Sequence, residues 1–321
     1  MSEKTINQLY NPNHFREVIA ESGNLNALLN KSPDRDRNIR IGRRHAEVSE
    51  SLRELDSIWR RFLSDRQKML DVDFKTHRFI KNVNKTPKKL IILEQELSSS
   101  LKVDIKNLFI YSDIVLTKFV FLFREICGLS RGTKDSSATN FLKSIRKQED
   151  ISSAEHLLYW YLGEELEKTE VLIGLYRDYF ITHTLHSYQQ GLNRAVFLPD
   201  IRIDMSGELE KFDLNKFLTV CGTLKDILPD TDKFGRPLDM KSDPRPKVEV
   251  LFDNLHKIKD EKVYGKTVSM IRQIGIETPD VYKAMWFLKR TLNSYIHFLM
   301  WYLETRVLKI SDKPLAKIGP S

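Results

Sequence analysis

The stretch Tyr176-Arg177-Asp178-Tyr179-Phe180-Ile181-Thr182-His183 holds an arginine and a histidine six positions apart, at the close of a long helical pattern. Arginine brings a permanent charge on a planar donor fork, and histidine a proton that moves near neutral pH. The pair offers charge stabilisation with acid–base transfer, provided the two side chains converge. Six residues turn a helix by about 600°, so these two do not share a face. They meet only if the helix ends between them or a second subunit completes the site. A structural role fits the same residues: Arg177 snorkels along the helix to an acid such as Glu170, and His183 caps the C-terminus, where the helix dipole favours positive charge.

A second constellation comprises Arg290, Asn293 and His297, spaced by three and four on one helical face that Trp286 and Trp301 extend. The opposite stripe, Val281, Met285, Leu288, Leu292, Leu299 and Leu303, is apolar, so this helix is expected to pack between layers with its polar stripe along a cleft or dimer seam. Arg290 and His297 repeat the arginine-to-histidine pairing one residue longer, as a degenerate copy or an RNA-contacting surface with stacking aromatics would. The plainer reading makes His297, among Tyr295, Phe298 and Trp301, a hydrogen-bonded core residue. A third set, Arg35, Arg37, Arg40, Arg43 and Arg44, is a candidate for phosphate contact. Charge runs are usually solvated surface, and Asp34 and Asp36 offset this one, so a partly disordered lead-in is the preferred reading.

Several enzyme classes drop out. Gly265-Lys266-Thr267 resembles the end of a P-loop, but Asp260 stands where the first glycine belongs and no strand precedes it. No His-Glu-x-x-His pair and no Gly-x-Ser-x-Gly elbow occur. His183 and His186 sit on adjacent turns without an obvious third ligand, so no metal is expected. Two cysteines, Cys127 and Cys221, make neither a disulfide framework nor a four-ligand zinc site, and free thiols in a reducing compartment are expected.

The elements that must carry these groups read as helices. Val48, Leu52, Leu55, Trp59 and Phe62 step by four and three along one face. Thr86-Pro87 opens a helix through the apolar run Leu90 to Leu97, and a second begins near Asp104 with Ile105, Leu108, Val115, Phe119, Leu122 and Ile126 inward, stopping at Gly128. A shorter helix covers 136–148. Ser152-Ser153-Ala154-Glu155 forms a capping-box pattern that opens the helix running to about His183. Residues 195–203 suggest an extended connection or a minor hairpin. Four prolines and five aspartates between 226 and 247 predict a flexible surface loop. Further helices are expected at 248–258 and 262–274, then a long final one opened by Thr278-Pro279. An N-terminal helical arm over 1–85 and a helical body over 86–321 are expected.

Arg177-Asp178-x-x-Ile181-x-His183 resembles the arginine, polar residue and histidine signature of the HEPN superfamily, and within it the abortive-infection branch. The resemblance covers this short motif. It implies a helical bundle, a homodimer, and a composite ribonuclease site that needs no metal or other cofactor, in phage defence or as a toxin. His183 would then be the acid–base group acting on an RNA 2′-hydroxyl, Arg177 the stabiliser of the phosphoryl transition state, and Asp178 the polar residue that orients its neighbours. The rival class is a non-enzymatic helical scaffold or protein-interaction module.

Composition agrees with a large helical chain. It has 321 residues, 41% hydrophobic, with 13 Gly and 11 Pro, too few for a turn-rich β-fold and too apolar for global disorder. A net charge of +8 favours polyanions without naming one. The first 15 residues carry no apolar run behind their charges. No stretch reaches the roughly 20 apolar residues of a membrane span. A soluble, cytoplasmic protein away from membranes, with RNA as its partner, is expected.

Overall fold

The structure, a computed structural model, describes residues 13–31, 34–77, 87–129, 137–182, 188–193, 198–203, 214–224, 226, 245–274 and 281–315. These residues form an all-α bundle with a single hairpin. The helices are α1 (His14–Leu29), α2 (Arg35–His77), α3 (Lys88–Cys127), α4 (Ala138–Arg146), α5 (Ala154–Thr182), α6 (Leu214–Thr223), α7 (Arg245–Asp253), α8 (Glu261–Ile274) and α9 (Val281–Tyr302). A 3-10 turn, Leu255–Lys257, follows α7, and a π-helical turn, Leu303–Val307, follows α9. Two compact units are present, Met1–Phe141 with Leu288–Ser321, and Leu142–Phe287.

In the first unit, α2 and α3 are 43 and 40 residues long and run antiparallel, because polar contacts pair rising numbers on one with falling numbers on the other. Lys118 Nζ reaches Ser51 Oγ at 2.7 Å, Arg61 Nε reaches Asp104 at 2.7 Å, and Ser100 Oγ reaches Asp65 at 2.7 Å. The apolar residues spaced by four and three on α2, Val48 through Phe62, are all fully buried, as are the six expected on α3.

Two helices expected between 90 and 128 are one. The serine run 98–100 is a poor helix-former by propensity, but Leu97, Leu101 and Ile105 keep burying one face through it, and Ser100 finds its partner on α2. Pro87 occupies the N-cap, one place before the first-turn position expected of it, and Thr86 lies outside the described residues. Gly128 ends the helix at φ 70, a left-handed conformation that glycine adopts without a Cβ penalty. The apolar stripe of α9 is buried as expected, but the α-helix closes at Tyr302, and Lys309 at φ 53 ends the π-turned continuation.

His45 on α2 joins α1: its Nε2 lies 2.7 Å from the Ser22 carbonyl, to which it donates, and 2.9 Å from Ser22 Oγ. Burial lowers its pKa. The native state therefore resists a proton that the unfolded chain accepts, and this contribution to stability is lost as pH falls through 6.5, the ordinary imidazole value. Urea titrations at pH 8 and pH 5.5 should show a fall in stability that His45→Gln largely removes.

In the second unit, α8 lies against α5, α6 and α7, and the 3-10 turn lies against α5. Leu158, Leu162, Leu166, Val171 and Leu172 of α5 meet a core that includes Phe217, Val248, Leu251, Leu255 and Ile271. The hairpin pairs β1 (Tyr188–Asn193) with β2 (Leu198–Ile203), Tyr188 opposite Ile203 and Asn193 opposite Leu198. Its second arm falls in the expected segment. The first, Tyr-Gln-Gln-Gly-Leu-Asn, starts upstream of 195 and is too polar to announce a strand. Of the loop expected over 226–247, residues 227–244 lie outside the described residues.

Candidate functional site

Helix α5 carries the arginine of the motif. Its N-terminus is capped by Ser153, whose Oγ accepts the backbone N–H of His156 at 3.0 Å. The cap is thus one residue later than Ser152, and the third helical residue is His156, so the reciprocal glutamate bond of a capping box is not made. The helix is described as far as Thr182 and holds Arg177 near that end. Arg177 is half-buried and engaged with its surroundings. Asp178 continues the helical backbone, and His183 and His186 lie outside the described residues.

The arginine segment does not form a disordered lead-in: it is the first turns of α2. Asp34 caps that helix, accepting the Arg37 backbone N–H on Oδ1 at 3.0 Å. Arg35 is the first residue of α2. Arg37 donates to the Ile126 carbonyl at 2.5 Å, Arg40 lies 3.7 Å from Glu125, and Arg44 pairs with Glu47 at 2.7 Å while its guanidinium sits 5.5 Å from the Phe121 ring centre. Arg37 and Arg40 thereby answer the carbonyl end of α3, where the helix dipole is negative. Arg43 is exposed. In the polar stripe of α9, Arg290 and Asn293 are half-buried, while His297 is exposed to solvent instead of sitting in the core. Phe298, Trp301 and Tyr302 form a ring cluster beside it, with the Phe298 and Tyr302 rings stacked at 6.1 Å.

The most highly organised polar group was invisible to motif reading. Arg146, the last residue of α4, is 7% exposed in its side chain and pairs at 2.7 Å with Glu167 of α5, which is fully buried. The same guanidinium donates to the Ile258 carbonyl and lies 3.6 Å from the ring centre of Tyr264 on α8. Tyr159 donates its hydroxyl to Glu167 Oε1 at 2.7 Å. Tyr159, Gly163 and Glu167 are four residues apart and so share a face. A Cβ on Gly163 would stand 2.7 Å from the Tyr159 ring, so glycine is what lets that ring lie along the helix. The signal available in the sequence was this i, i+4, i+8 series, but nothing in it named Arg146.

Electrostatics around this clasp are dominated by burial. Burial pushes the Glu167 carboxyl above the usual carboxylate range, against the pull of Arg146 and the Tyr159 hydroxyl. Tyr159 and Tyr264 are raised, again chiefly by burial, so both phenols stay protonated. Glu167 Oε2 has no hydrogen-bond partner among the described residues. Gly265-Lys266-Thr267 lies within α8, where the Thr267 hydroxyl donates to the Val263 carbonyl at 2.8 Å, so no phosphate loop forms there.

Among the described residues, no group of three His, Cys, Asp or Glu side chains is placed to hold a metal ion, and no helix is long and apolar enough to cross a membrane. Fold and site define the class as an all-α protein that buries an arginine–carboxylate contact between α4 and α5. Comparison with models of known protein families, with curated proteins and with solved structures gives no match to this chain.

Proposed function

We propose that the chain is a HEPN-like, metal-independent ribonuclease or RNA-binding protein of the defence or toxin type, active as a cytoplasmic homodimer, with Arg177, Asp178 and His183 at its site. One observation carries the reading: Arg177 stands half-buried near the described end of the long helix α5, where the motif needs its arginine. The test is cleavage of single-stranded RNA by the purified full chain with a chelator present. His183→Ala is expected to lower the rate by at least about a hundredfold, the usual worth of a positioned acid–base group. Unchanged cleavage by that variant removes His183 from the mechanism.

A second reading, the non-enzymatic helical scaffold, is favoured by a different observation. Ile91, Ile92, Leu93 and Val103 on the N-terminal half of α3 are 40 to 56% exposed, as a partner-facing surface would be. It expects no cleavage by the wild-type chain under any of these conditions.

A further inference from the structure

We propose that the end of the α2–α3 pair docks on an anionic lipid surface, with Ile91, Ile92 and Leu93 entering the headgroup boundary and Lys75, Lys88 and Lys89 meeting lipid phosphates. None of residues 88–96 is buried, and the buried face of α3 begins only at Leu97. Roughly 13 Å of helix is thus without a buried residue. Ile91, Ile92 and Leu93 are each at least 40% exposed, and no other large hydrophobic side chains among the described residues are exposed side by side. An exposed apolar patch of this kind marks a docking surface.

Charge decides what covers it. Lys88 and Lys89 occupy the first turn of α3, which holds no acidic residue, and Pro87 caps the helix without a side-chain hydrogen bond. The positive end of the helix dipole therefore adds to the field of the lysines. Extending the antiparallel register of Arg61 with Asp104 and Asp65 with Ser100 brings the exposed Lys75 of α2 level with Leu90. From Phe74 to Leu93 the sequence contains six Lys or Arg and no Asp or Glu, against a net charge of +8 for the whole chain.

Branched aliphatic side chains beside lysines fit the boundary between acyl chains and anionic headgroups. A second copy would set like charges against each other. Single-stranded nucleic acid is gripped by stacking on flat rings or guanidinium planes, which Ile91, Ile92 and Leu93 do not offer. No described helix is long and apolar enough to cross a membrane, and a docked tip needs none that is. The expectation of a protein away from membranes rested on the lack of such a span. Lys75 through Leu93 belong to the first unit and Arg177 to the second, so docking neither needs nor tests the nuclease reading.

The experiment sediments the full chain with phosphatidylcholine vesicles that do or do not contain phosphatidylserine as about a third of the lipid. Binding to the anionic vesicles is expected to exceed binding to the neutral ones at least about tenfold and to fall as salt is raised. Lys88→Glu combined with Lys89→Glu is expected to lower it at least about tenfold. Acids in the first turn favour a helix, so that loss is not one of folding. Ile91→Ser combined with Ile92→Ser is expected to weaken binding as strongly at an unchanged melting temperature, because both side chains are exposed. Equal binding to the two kinds of vesicle overturns the proposal, as does wild-type binding by the lysine variant. Where the chain leaves the vesicles alone, a dimer dissolved by the serine variant gives this face to a second copy, an RNA complex abolished by the lysine variant gives it to RNA, and either result also overturns the proposal.

Discussion

Glu167→Ala is expected to destabilise the protein by about 3–5 kcal/mol, because it leaves the Arg146 guanidinium buried without its counter-charge. The carboxylate it removes is fully buried and accepts from both Arg146 and Tyr159 at 2.7 Å. Arg146 has no route to water from its position, at 7% side-chain exposure between Tyr264 and the Ile258 carbonyl. The loss is read from urea unfolding followed by circular dichroism at fixed pH. A change below about 1 kcal/mol would mean that the clasp relaxes into solvent as an ordinary surface pair does. Replacing both partners with leucine should recover most of the loss, since an apolar pair of similar volume carries no desolvation penalty.

The same carboxyl sets a pH dependence whose sign follows from the direction of its shift. Its native value is raised above 4.5, the ordinary one, so the folded state binds the proton more readily than the unfolded chain. This group's contribution to stability is present below the unfolded value and is lost as pH rises through the native one. Glu167→Gln should flatten that part of the stability profile while keeping an acceptor for Tyr159.

Trp59→Ala is expected to cost a further class of stability, about 3–5 kcal/mol, through the cavity left in the first unit. Trp59 is fully buried on α2. Its ring stacks on Phe62 at 5.5 Å and meets Phe15 of α1 edge-on at 6.3 Å, so the indole fastens α1 to the α2–α3 pair. Those neighbours are themselves buried aromatic rings held in place, and they cannot collapse into the space vacated. Thermal unfolding of the variant measures the loss. Trp59→Phe, which refills most of the volume, should retain more than half of it.

The parts of the fold that were legible are those set by short-range physics. Helical spacing placed Val48 through Phe62, the inner stripe of α3 and the apolar stripe of α9 on buried faces, because a period near 3.6 commits every third or fourth residue to the same side. Gly128 announced its stop because a left-handed residue is cheap only without a Cβ. The Arg177–His183 pair was legible as a motif, and Arg177 stands on the long helix expected to carry it, while His183 lies outside the described residues.

What the amino-acid order determined by itself, then, is that this chain forms long amphipathic helices, where they turn inward, and which residues are chemically equipped for a site. Tertiary structure alone decided that the serine run stays helical, that Arg37 and Arg40 at the head of α2 meet the far end of α3, and that Arg146 and Glu167, 21 positions apart, clasp each other in the interior. The reason is one of range. Helix periodicity is written over a few residues, whereas the partner of a buried charge is chosen by which surfaces meet after the helices pack, and no spacing rule within one helix encodes that choice.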